Sequence, residues 1–239
     1  MLVTQAITYH DKETILEGYC AHQDIKTKKP AVLVCHDWSG KNEFACHQAE
    51  RLAELGYVGF ALDMYGKGKI GQSKDEKMAL MQPFMQDRTV LLQRIAAALT
   101  AIKTIDGVDP HRVAAIGFCF GGLCVLDLAR SNAALKGVVS FHGLLQAPDH
   151  QPSRSIQAKI LALHGFDDPM VTADQVVAFG EEMTQAKADW QLYMYGNTMH
   201  AFTNPEANDP EFGTVYNKQT AQRAWASMVL FFQEIFGVC

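Results

Sequence analysis

Cys119 stands among glycines in the stretch AAIGFCFGGLCV, residues 114–125. Its immediate setting, Gly117-Phe118-Cys119-Phe120-Gly121, is a G-x-C-x-G pattern between apolar runs. Where a strand turns straight into a helix, the corner residue takes a strained backbone, and the residues two before and two after it nearly touch. Only small side chains fit at those two places. Such a corner lifts the Cys119 side chain above the sheet and sets its sulfur at a helix N-terminus, where the dipole favours a thiolate. The Phe120 N–H then points where an oxyanion would form. The competing reading is a glycine-rich turn for close packing or for phosphate. Cys119 holds the place of the middle glycine of a dinucleotide turn, so that spacing is absent.

Two later stretches supply partners. HGFDDPMV (164–171) ends an apolar run with acids, and YGNTMHAF (195–202) places a histidine just past the next one. The order nucleophile, acid, histidine is that of the α/β-hydrolases. The chemistry is coherent: His200 takes the thiol proton and later protonates the leaving group, while a carboxylate holds the imidazole tautomer. Asp167 and Asp168 both compete for the acid's role. Asp168 is preferred, because Gly165, Asp168 and Val171 reproduce the G-x-x-D-x-x-V acid turn of that superfamily.

These residues need a frame. AVLVCHDW (31–38), YVGFALDMYG (57–66), RVAAIGFC (112–119), KGVVSFHG (136–143), AKILALHGFDD (158–168) and DWQLYMYG (189–196) read as strands. Between them, 42–56, 83–105, 120–131, 173–187 and 219–236 carry helical periodicity, with Gly56 as a C-cap and Pro83 near a helix start. The polar segment 66–82 reads as a loop or lid. Alternation of this kind predicts an α/β fold: a mostly parallel sheet in a three-layer sandwich, with sites at the carboxyl ends of strands. Asp37, Asp63, Cys119, His142, Asp168 and His200 fall at or just past those ends. One domain over 1–239 is expected.

The 239 residues carry a formal net charge of −5 and 48% hydrophobic residues, with no long Lys/Arg run. That disfavours nucleic acid and anionic membrane as partners. No apolar run is long enough to span a bilayer, and the first residues resemble neither a signal nor an anchor, so a cytoplasmic protein is expected. Six cysteines in so long a chain are too dilute for a disulfide scaffold.

The chain resembles the dienelactone hydrolase (carboxymethylenebutenolidase-like) family from about residue 12 to 236. HDWSGKNEF, ALDMYG, AAIGFCFGG, LHGFDDPMV and HAFTNP carry the likeness, and cysteine in place of serine at the elbow is its most specific element. The resemblance implies an α/β-hydrolase sheet of about eight strands. It implies hydrolysis of a small lactone or ester through a thioester, with Cys119, Asp168 and His200 as the triad. It also implies an oxyanion hole from the backbone N–H groups of Trp38 and Phe120. Two positions depart from the family. Asp37 stands where a glutamate lies beside the cysteine, and Asn204 stands where an arginine binds the substrate carboxylate. An acid at 37 opposes ionisation of the thiol, or else accepts N–H groups of the WSGKN turn.

Arg88, Tyr65 and Phe202 are the expected substrate contacts, with Arg88 as a replacement clamp for an anionic substrate. The plainer reading of Arg88 is a helix arginine paired with Asp87 or other acids. Thioesterase or general carboxylesterase activity, or a non-catalytic binding protein of the same fold, are the alternative functions. No cofactor or metal is expected: the pairs Cys35-His36 and Cys46-His47 lack the spacing of a closed zinc site. A Cys119–Cys124 redox pair is disfavoured because Cys124 should point into the core. A monomer or weak homodimer is expected.

Overall fold

The computed structural model describes residues 1–148 and 155–237. An eight-stranded sheet holds β1 (Leu2–Asp11), β2 (Thr14–Gln23), β3 (Lys29–Cys35), β4 (Val58–Ala61), β5 (Val108–Phe118), β6 (Gly137–Phe141), β7 (Lys159–Gly165) and β8 (Trp190–Tyr195). Their order is β1-β2-β4-β3-β5-β6-β7-β8. The β1/β2 hairpin joins antiparallel, and every pair from β4 onward is parallel. A two-stranded ribbon, β9 (Asn208–Asp209) with β10 (Thr214–Val215), lies beyond the last strand.

Helices cover both faces, as the runs of β-branched residues in β3, β5 and β6 require. One face buries Leu91, Ile95, Leu123, Leu126 and Phe179 from α3 (Arg88–Lys103), α4 (Phe120–Arg130) and α5 (Ala173–Gln185). The other buries Ala49, Leu52, Met228 and Phe232 from α1 (Glu43–Glu54) and α6 (Lys218–Phe236). Every residue of α4 is buried, which explains its apolar character all round. No helix among the described residues is long and apolar enough to cross a membrane.

Parallel register puts the functional edge in line. Cys35 pairs with Gly117, Phe118 with Phe141, and Gly165 with Tyr195. Residues just past these positions therefore meet along one edge of the sheet.

Three expectations are corrected. The span 83–105 is not one helix: α2 (Lys74–Gln86) and α3 are separated by Asp87, whose extended backbone breaks the run. Asp87 caps α3 by accepting the N–H groups of Thr89 and Val90. Pro83 sits deep inside α2, where its missing N–H and bulky ring favour a nearby end. Most of the supposed loop 66–82 is thus the start of α2. Its signal is a capping box: Glu76 N–H donates to Ser73, and the Glu76 carboxylate accepts the Ser73 N–H. The β1/β2 hairpin carries little local signal, because β1 is exposed at the sheet's edge and lacks a clean apolar face.

Candidate active site

The corner at Cys119 has the geometry its glycines demand. Cys119 takes φ 54° and ψ −115°, a costly conformation for a residue with a side chain. A Cβ on Gly117 would lie 2.0 Å from the Gly121 carbonyl oxygen, and one on Gly121 would lie 2.2 Å from the Cys35 carbonyl oxygen. The Cys119 N–H is shared between the Phe141 carbonyl at 3.0 Å and His142 Nδ1 at 3.2 Å. α4 starts at the next residue, so Cys119 stands at a helix N-cap, where the dipole favours negative charge.

The acid follows β7. Asp168 is buried: Oδ1 accepts the Met170 N–H at 2.8 Å, and Oδ2 lies 2.7 Å from His200 Nδ1. Asp167 is exposed and contributes only its backbone N–H, to the Thr198 carbonyl. His200 is anchored through its backbone, donating to Gly213 O and accepting from Val215 N. This binds it to the β9/β10 ribbon. Its Nε2 is buried without a well-aligned partner among the described residues, an arrangement common before substrate binds.

Burial opposes a positive charge on His200. The Cys119 thiolate and the Asp168 carboxylate outweigh it together and raise the imidazole to about 10. A second histidine, His164, has Nδ1 4.0 Å from the same Asp168 oxygen, but burial lowers its basicity and leaves it the weaker competitor.

A cavity of about 390 Å³ opens above this group. Asp37, Trp38, Cys119, His142 and His200 line its floor and near wall. Asp37 Oδ1 accepts the Ser39 N–H at 2.8 Å, so the turn role expected for it is present, and the residue also faces the cavity. The Trp38 ring stacks on Phe212 at 5.7 Å and 14°. α2 lines the cavity with Lys74, Lys77 and Met81. Lys74 bonds Asp209 at 2.7 Å, which ties α2 to the ribbon. Lys77 forms no salt bridge among the described residues and lies 5.8 Å over the Trp38 ring. The capping box of Ser73 and Glu76 is the sequence signal that marks the helix carrying Lys77.

The three expected substrate contacts lie elsewhere. Arg88 grips Asp127 with both Nε, at 2.6 Å, and Nη2, at 2.7 Å, and reaches the Gln146 carbonyl. It is paired with an acid, though Asp127 rather than Asp87. Tyr65 is buried behind the site, its hydroxyl donating to the Trp38 carbonyl. Phe202 is fully buried against His142 and Tyr195. Asn204 does line the cavity. Residues 149–154 of the 144–157 loop, and Cys239, lie outside the described residues. The other five cysteines are free thiols, and Cys124 is wholly buried, away from the cavity. His36 has both ring nitrogens occupied, by the Asp37 carbonyl and the Met64 N–H.

The family model for the dienelactone hydrolase family matches residues 16–236. An uncharacterized protein of Caenorhabditis elegans, K02A2.1, is 36% identical over 150 residues, 62% of this chain and 95% of that one. A Yersinia pestis protein provisionally named a carboxymethylenebutenolidase is 27% identical over 92% of this chain and 84% of its own. Among solved structures, P91, a dienelactone hydrolase-like promiscuous phosphotriesterase from metagenomic libraries, superposes with a TM-score of 0.93 at 34% identity, covering 98% of each chain. The chain belongs to the dienelactone hydrolase family, and so to the carboxylic ester hydrolases.

Proposed function

We propose that this protein hydrolyses a small ester or lactone through a thioester on Cys119, with His200 as acid and base and Asp168 as the carboxylate that orients it. The observation carrying the proposal is the buried 2.7 Å contact of His200 Nδ1 with Asp168, at a cavity whose floor holds Cys119 on a strained helix-leading corner.

The thiolate attacks the substrate carbonyl carbon, forming a C–S bond while the carbonyl electron pair moves onto oxygen. The Phe120 and Trp38 backbone N–H groups receive that oxyanion. The pair returns, the C–O bond to the leaving group breaks, and His200 Nε2–H protonates the departing oxygen. In a lactone this oxygen stays tethered as a hydroxyl. His200 then takes a proton from water, the hydroxide attacks the thioester, and a carboxylic acid leaves as the sulfur is released. Asp168 keeps Nδ1 protonated throughout, so Nε2 is the nitrogen that exchanges the proton.

Lys77 supports a substrate carrying a carboxylate, because it is a cation lining the cavity that forms no salt bridge among the described residues. Asp37 adds a carboxylate to the lining of the same cavity. The test is a nitrophenyl ester: a burst of nitrophenol in the wild type that is absent in Cys119→Ala. Undiminished turnover in Cys119→Ala would overturn the proposal.

A second substrate class rests on the likeness to P91, whose name records promiscuous phosphotriesterase activity. Attack of the same sulfur on phosphorus, with loss of an aryloxide, would use the same oxyanion donors. Release of nitrophenol from a nitrophenyl dialkyl phosphate, again lost in Cys119→Ala, checks it.

A further inference from the structure

His142 is the histidine of the site that the hydrolytic scheme leaves without a task. It follows β6, lines the cavity floor and is buried. Its φ of 39° is left-handed, a conformation that histidine adopts more readily than most residues. Nδ1 faces the Cys119 backbone nitrogen at 3.2 Å, and Nε2 lies 2.7 Å from Thr203 Oγ1. A backbone N–H can only donate. Nδ1 is therefore the bare nitrogen, Nε2 carries the proton, and Thr203 Oγ1 accepts it. Phe118 and Phe202 enclose the ring, and it stands edge-on to His200 with centroids 5.1 Å apart. Burial, and then the charge on His200, hold His142 neutral. With both nitrogens engaged, it has no free site from which to serve as a second base.

We propose that His142 is a positioning residue for Cys119: its neutral imidazole, with the tautomer set by Thr203, accepts the Cys119 N–H and holds the strained corner that aims the sulfur at His200. The proposal rests on the reading of Cys119 as the nucleophile. The Phe141 carbonyl shares the same N–H, so His142 supplies the second of two restraints on one strained residue. Thr203 acts at one remove and does not line the cavity. Without its oxygen the ring proton is free to move to Nδ1, where it would oppose the Cys119 N–H donor to donor.

Thr203→Val keeps the side chain's shape and removes the acceptor. The expected result with nitrophenyl acetate is a kcat lower by about tenfold to a hundredfold, the scale of a small misplacement of a reacting group. KM should stay within about twofold, because the lost restraint acts on the nucleophile rather than on substrate binding. Thr203→Ser should recover most of the rate. His142→Asn, whose Oδ1 can reach the Nδ1 position and which tolerates left-handed backbone, should be faster than His142→Leu. In ¹⁵N spectra, wild-type His142 should carry its proton on Nε2. A Thr203→Val enzyme as fast as wild type overturns the proposal. Should that variant not fold, a wild-type His142 proton found on Nδ1 overturns it equally. Cys119→Ala separates the two levels: activity surviving there defeats the nucleophile itself, whereas an inactive Cys119→Ala beside a fully active Thr203→Val defeats only the role of His142.

Discussion

His200 Nδ1 and Asp168 Oδ2 meet at 2.7 Å, with both side chains shut off from solvent. The neighbouring Asp167 points outward. Asp168→Asn is expected to lower kcat by a factor on the order of 10²–10⁴, since an amide favours the wrong imidazole tautomer. Asp167→Asn should change it by no more than about twofold. Steady-state kinetics on one aryl ester decides; equal losses in both variants would refute the assignment.

The raised affinity of His200 for its proton makes a statement about stability. A folded-state value of about 10 lies above the ordinary imidazole value of 6.5. The group's stabilising contribution is thus complete below about pH 6.5 and is lost as pH rises through about 10. In urea unfolding, the advantage of wild type over His200→Gln should shrink across that window. NMR titration of His200 should show a lower midpoint in Cys119→Ser, because the thiolate is the strongest influence favouring the charged ring.

Lys77→Met should reduce kcat/KM for an ester bearing a carboxylate by about fivefold, the scale of one partly exposed charge pair. A neutral ester of similar size should be unaffected. Arg88→Gln should do something different: it strips a bidentate partner from buried Asp127 and should cost roughly 3 kcal/mol of stability with the ester preference intact. Preference ratios and unfolding curves for the two variants check both halves.

Asp37→Asn should speed alkylation of Cys119 by iodoacetamide near neutral pH, since it removes a like charge from the floor of the cavity. Superimposable rate–pH curves for variant and wild type would leave Asp37 as the acceptor of the Ser39 N–H alone.

Gly117→Ala should destabilise the fold by about 3 kcal/mol or more. The added methyl would meet backbone rather than a movable side chain, only 2.0 Å from the Gly121 oxygen. Thermal unfolding measures the loss.

The sequence by itself determined the parallel frame and which residue types stand at its edge. Apolar runs of strand length and the glycines flanking Cys119 are local requirements: each follows from a backbone that must stay buried or turn sharply within a few residues. Register then brings Cys119, Asp168 and His200 to one edge without further choice. Tertiary structure alone decided which charge faces the cavity. Arg88 and Lys77 are both cations on polar helix positions, and nothing in their local sequence separates them. Asp127, 39 residues away in the chain, claims Arg88, whereas Lys77 forms no salt bridge among the described residues. The same holds for Tyr65 and Phe202, aromatic residues near strand ends that fill the core behind the site rather than its mouth. Burial of a side chain and the identity of its partner are properties of distant segments brought together. They become visible only once α2, the ribbon and the sheet are in place.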